Sequence, residues 1–115
     1  MGIEEIREYC LSLPGTTEGM KWGEHLTFMV GTKMYAIFGL DQTPINASFK
    51  VSDEGFEKMS GQPGMKPAPY LARNKWIAIE DIGFLNEQKW KEILENSYMI
   101  IKKKLPKKVQ DQLDL

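Results

Sequence analysis

Five lysines fall within seven positions, Lys102 to Lys108, in the stretch "SYMIIKKKLPKK". Amines gathered so closely can hold phosphates or other anions. Lys102, Lys103 and Lys104 occupy consecutive helical positions, which fan over about 200°, so they cannot all face one way. Part of their role is to offset the negative end of a helix dipole. That role covers Lys107 and Lys108 less well, because they lie beyond Pro106. Lys33 and Lys50 come from predicted strands, and Lys66 and Arg73 from the segment around the prolines. If folding gathers Lys33, Lys50, Lys66, Arg73, Lys102, Lys103, Lys107 and Lys108 on one surface, they form a groove for phosphates. Tyr70 or Trp76 would then be at hand for base stacking.

Other residue types carry weaker chemistry. His25, the sole histidine, adjoins Glu24. It could serve as a general base, although a polar loop residue is the simpler reading. Cys10 lies on the apolar side of the first helix and reads as a small buried hydrophobe. One Cys and one His do not assemble an ordinary zinc site. Gly15, Gly19 and Gly23 recur every four residues. They lack the Lys-Ser/Thr ending of a phosphate loop and read as turn glycines. Glu80 and Asp81 at a strand end read as a solvated turn rather than metal ligands or an acid–base pair. Neither a cofactor nor a metal is expected.

These residues must be positioned by a chain of 115 residues, read as one domain over 1–115. A core of that size needs no staples. The chain is 42% hydrophobic and 27% charged, ordinary for a globular protein. Its 15 basic and 16 acidic residues leave a formal net charge of −1, so any nucleic-acid contact must come from a local patch. No apolar run approaches the roughly 20 residues that span a bilayer. The start, MGIEEIREYC, has no basic region ahead of an apolar stretch, and Ile6 stands where a myristoylation motif wants Ser or Thr. The single cysteine excludes an internal disulfide. Together these features give the expectation of a cytoplasmic protein with no membrane partner.

Along the chain, Ile3, Ile6, Tyr9, Cys10 and Leu13 have helical spacing, and Pro14-Gly15 stops them. Thr16 to Glu24 reads as a loop. Thr27–Val30 and Lys33–Phe38 form strands joined by Gly31-Thr32, a connection suited to a type II′ turn. In Asn46–Val51, Ala47, Phe49 and Val51 alternate with Asn46, Ser48 and Lys50, the period of a half-buried strand. Ser52-Asp53 caps a short helix that ends at Gly61. Gln62–Pro69 reads as irregular, Lys75–Ile79 as a strand, and Tyr70–Ala72 as its companion. Asn86 caps a last helix with Trp90, Ile93, Leu94, Ser97, Tyr98, Ile101 and Leu105 in one stripe. Pro106 ends or kinks it, and Val109–Leu113 adds a turn or two. The order α-β-β-β-α-β(β)-α implies a two-layer α+β fold. Its antiparallel sheet is covered by the N- and C-terminal helices.

The pieces "LPGTTEGMKWG", "GTKMYAIF", "ASFKVS", "PAPYLARNKWIAIE" and "SYMIIKKKLPKK", in this order, resemble the MmcQ/YjbR family of small bacterial proteins. The resemblance runs from about residue 3 to residue 110 and rests on several positions. These are Pro14, Gly15, Trp22 and Gly23 in the first loop; Lys33, Met34, Ala36 and Lys50 on strands; Pro69, Tyr70 and Trp76 later; and Ser97, Tyr98, Leu105 and Pro106 at the end. Thr32 and Tyr35 stand where members often carry Gly and Phe. The resemblance implies a YjbR-like two-layer α+β fold and a DNA-binding label that rests on fold analogy. It brings no catalytic residues. The leading expectation is therefore a non-enzymatic DNA-binding protein that contacts phosphates through lysines near the last helix end. The alternative is a protein- or small-ligand-binding module lined by Trp22, Tyr35, Phe49, Tyr70 and Trp76. Catalysis stands third.

Overall fold

The computed structural model describes residues 1–113, which form, with single 3-10 turns at Ala72–Asn74 and Ile82–Phe84, four α-helices and six strands. They are α1 (Ile3–Ser12), β1 (Thr16–Lys21), β2 (His25–Val30), β3 (Lys33–Gly39), β4 (Asn46–Lys50), α2 (Asp53–Ser60), β5 (Met65–Pro67), β6 (Trp76–Ile79), α3 (Glu87–Lys102) and α4 (Lys107–Leu113). The strands form one sheet in the order β1-β2-β3-β4-β6-β5, each neighbouring pair antiparallel. Helices lie at both ends of the chain, so the α+β reading holds.

Local chemistry fixes several boundaries. The Asn86 side chain accepts a 2.8 Å hydrogen bond from the Lys89 amide, satisfying a donor that the first turn of α3 leaves free. Ser52 does the same for Gly55 at 3.0 Å ahead of α2. The β2–β3 turn pairs Val30 with Lys33 across Gly31-Thr32. Gly31 has φ +62° while Thr32 stays out of the left-handed region, the pattern of a type II′ turn.

Two segments differ from the sequence reading. Residues 16–21, expected as loop, are β1, which pairs with β2 from Thr16↔Val30 to Lys21↔His25. This edge strand is largely exposed on both faces, so its side chains show no alternation to read. The companion of β6 is Met65–Pro67, within the segment expected to be irregular, and not Tyr70–Ala72. Pro67 is tolerated there because β5 is an edge.

One sheet face packs under α1, α2 and α3 around a core that includes Ile6, Phe28, Phe38, Phe49, Ile77, Trp90 and Leu94. The Trp90 ring sits 5.7 Å from Phe38 and 5.8 Å from Phe49, centroid to centroid. Its Nε1–H donates to the Ile82 carbonyl at 2.8 Å. The β2–β3 register slips between Phe28 and Met29, so that Tyr35 is an extra residue on β3. This bulge turns Tyr35 into the same core as Ala36, its immediate neighbour. Strict alternation would have sent it to the opposite face. The opposite face carries a smaller cluster of Ile37, Ala68 and Trp76 with Met34, Leu71 and Ala78 against it. Among the described residues, the strap of residues 68–75 is what covers it. Leu105, just after α3, is buried against the hairpin turn. A Cβ on Gly31 would lie 3.0 Å from its methyl groups.

Candidate functional site

The hairpin turn seated on Leu105 brings Lys33, at the start of β3, beside the end of α3. Lys33, Lys50 and Lys104 there line one groove of about 350 Å³ with Met34, Leu71, Asn74, Trp76 and Ile101. Among the described residues no carboxylate is in its lining. Lys50 is only 6% exposed, and its Nζ donates to the Asn74 carbonyl. Burial pushes its pKa down, and the nearby cations of Lys104 and Lys75 push the same way against the attraction of Asp53. A cation held at such a cost, beside an open groove, favours binding of a negative group.

Met34 and Leu71 also belong to a second concavity on the same face, of about 540 Å³. Its floor is Met34, Ile37 and Gly39 from β3 with Asn46 and Ser48 from β4. Trp22 and His25 form one rim, and Pro69, Tyr70 and Leu71 the other. Both rim aromatics are out in solvent: Trp22 is 68% and Tyr70 103% exposed. Each also has a left-handed backbone, φ +48° and +66°. Tyr70 follows Pro69 in a turn closed by the Leu71 amide donating to the Ala68 carbonyl at 3.1 Å. A type II turn of this kind ordinarily puts glycine where Tyr70 stands. Trp22 is steadied by His25, whose Nδ1–H donates to the Trp22 carbonyl at 3.0 Å, with the rings edge to face at 6.4 Å.

The sequence candidates divide accordingly. Lys33 and Lys50 converge. Lys104, omitted from the expected set, joins them in the groove. It could have been found from its position three residues after Ile101 of the buried stripe. Lys102 lies over the Tyr98 ring at 5.9 Å. Lys103, Lys107 and Lys108 are exposed and outside the groove lining, as are Lys66 on β5 and Arg73 in the strap. Of the aromatics, Trp22 and Tyr70 line the concavity and Trp76 the cationic groove. Tyr35 and Phe49, expected as lining, do not serve. Both are fully buried beneath the helices, Tyr35 because of the bulge and Phe49 because it faces the core from β4. Leu71 is a rim residue the sequence reading did not single out, and His25 and Pro69, named there for other reasons, were not expected as lining.

The remaining chemical candidates are occupied otherwise. Cys10 is fully buried beside the Tyr35 hydroxyl, and burial pushes its thiol up to about 12. The Tyr35 hydroxyl lies 3.0 Å from Thr16 Oγ1. Asp81 accepts from the Gly83 amide at 2.8 Å and so caps a short turn. Acidic side chains collect on the helix layer instead: Glu5, Glu8 and Glu87 share one shallow cleft with Lys91, and Glu92 and Glu95 another. Among the described residues no helix is long and apolar enough to cross a membrane.

Fold and site together define a class: a small α+β domain with helices on one face of its sheet, an aromatic-rimmed concavity on the other, and a cationic groove beside it where the end of α3 meets the sheet. The chain belongs to the YjbR family, whose model matches residues 11–100. Among solved structures it is similar to the Deinococcus radiodurans protein DR2400, described as a DUF419 domain. The TM-score is 0.87 and the identity 28%, over 98% of this chain and 88% of that one. A protein from Pseudomonas syringae shares the fold at a TM-score of 0.70 and 18% identity, over 88% of this chain and 99% of that one. No curated protein matches the sequence.

Proposed function

We propose that this protein binds DNA without catalysing a reaction, in the bacterial cytoplasm, with phosphates held in the groove of Lys33, Lys50 and Lys104. The observation that carries this reading is the convergence of three lysines from three elements in a groove whose lining, among the described residues, holds no carboxylate. Lys50 supplies a fixed, partly desolvated cation at the floor. Lys33 and Lys104 are exposed and adjust to the backbone. Lys103, Lys107, Lys108, Lys66 and Arg73 act at longer range by raising the local potential. Binding of this kind is salt-sensitive, because each neutralised phosphate releases condensed counterions. Fluorescence anisotropy with labelled DNA at rising salt tests it. Wild type should bind at low salt, and Lys33→Glu/Lys104→Glu should lose binding while keeping its melting temperature. Absence of binding at low salt to both duplex and single strand refutes the reading.

A second reading has its own observation. The concavity of about 540 Å³ sets Met34, Ile37, Ala47, Pro69 and Leu71 beside the rings of Trp22 and Tyr70. Its volume falls within the usual size of small-molecule sites. A ligand held there alone would raise the melting temperature in a thermal-shift screen without any dependence on Lys33 or Lys104.

A further inference from the structure

We infer that the DNA form recognised is single-stranded, its bases stacked on Trp22 and Tyr70 while its phosphates run into the lysine groove. This rests on the DNA-binding reading above and adds the form of the strand and its placement. Three observations support it. First, Trp22 and Tyr70 face the same cavity from opposite rims, exposed and with left-handed backbones. Such conformations cost a bulky residue stability. The Tyr70 ring gains nothing within the fold, and the Trp22 ring, although it meets His25 and Lys21, leaves most of its surface in solvent for an outside partner. Second, the aromatic cavity and the cationic groove are neighbours that share the lining residues Met34 and Leu71, so a strand lying across those two side chains reaches both. Third, the cations are unevenly placed: three lysines line the Lys33 end of β3, while the aromatic end has the single cation of Lys21, 5.9 Å from the centre of the Trp22 ring, with Glu24 two residues on from Trp22 in sequence.

Geometry sets the length. Lys33 and Gly39 mark the two ends of β3, six steps apart. At about 3.3 Å per step that path is about 20 Å long. A stacked strand advances about 3.4 Å per nucleotide, so about six nucleotides fill it. A mononucleotide cannot reach both ends. A duplex keeps its base faces stacked inside and cannot offer them to Trp22 and Tyr70.

The test is anisotropy with labelled oligo-dT of two, four, six, eight and twelve nucleotides, a twelve-base-pair duplex and oligo-U. Proteins are wild type, Trp22→Ala, Tyr70→Ala, the double Trp22→Ala/Tyr70→Ala and Lys33→Glu/Lys104→Glu. Retained near-ultraviolet dichroism from buried Trp90 certifies folding. We expect affinity to rise up to about six nucleotides, and single strand to bind about tenfold or more tighter than duplex. Each aromatic truncation should weaken single-strand binding about tenfold. The double variant should keep weak, salt-sensitive binding with no preference for single strand, which separates failure of stacking from failure of the lysine groove. Double-variant binding equal to wild type overturns the inference, as does a duplex bound as well as the single strand. Oligo-U bound more tightly than oligo-dT overturns the assignment to DNA. Loss of all binding in wild type removes both this inference and the reading beneath it.

Discussion

Lys50 shows most directly how function and stability pull apart at a single residue. Its ammonium sits almost out of water, near Lys104 and Lys75, with Asp53 the compensating charge. Its folded pKa therefore lies below the ordinary 10.5. The unfolded chain binds the proton more tightly, so stability rises with pH from the lowered folded value up to about the ordinary one. Lys50→Met should flatten that alkaline rise and raise the melting temperature at pH 7, while weakening DNA binding. Urea titrations between pH 7 and 10.5 check the first part, and a variant less stable than wild type at pH 7 contradicts it. Cys10 makes the opposite kind of prediction. Its thiol is sealed under the helices and held protonated, so a thiol reagent at pH 8 should label it only after denaturation. Rapid stoichiometric labelling of the native protein would contradict the burial.

At the scale of elements, the β2–β3 hairpin is the part on which the site depends. Gly31 combines a left-handed backbone with a close approach to Leu105. Gly31→Ala should cost about 1–2 kcal/mol from the backbone conformation alone. By lifting the hairpin off α3 it should also separate Lys33 from Lys104 and weaken binding beyond what the lost stability explains. Denaturant unfolding and anisotropy on the same sample read both effects. Asn86→Ala, remote from the site, should cost about 1 kcal/mol through the lost cap and leave binding unchanged. The elements also differ in how plainly the sequence announces them. α3 was legible because Trp90 to Ile101 repeat at helical spacing and Asn86 caps them. β4 and β6 were legible from alternation. β1 was not, because an exposed edge strand has no face to encode. Tyr35 misled for a related reason: a bulge moves a side chain across the sheet without changing the composition of its strand.

For the whole molecule, the sequence showed that lysines were plentiful but not which of them meet. Lys104 joins Lys33 and Lys50 only because Leu105 packs on a turn distant in the chain, at Gly31, a tertiary contact with no local signature. The two arrangements predict different salt dependence. Three groove lysines on a single strand give a slope of about −2 in log affinity against log salt, and all eight cations expected from the sequence about −6. An anisotropy series from low to physiological salt distinguishes them. The acids of α1 and α3 gather in clefts apart from the lysine groove, so a net charge of −1 describes neither patch. A protein divided in this way should adhere at neutral pH and low ionic strength to chromatography resins of both signs. An anion exchanger would hold it by the acids of α1 and α3, and a cation exchanger by the lysines where the end of α3 meets the start of β3.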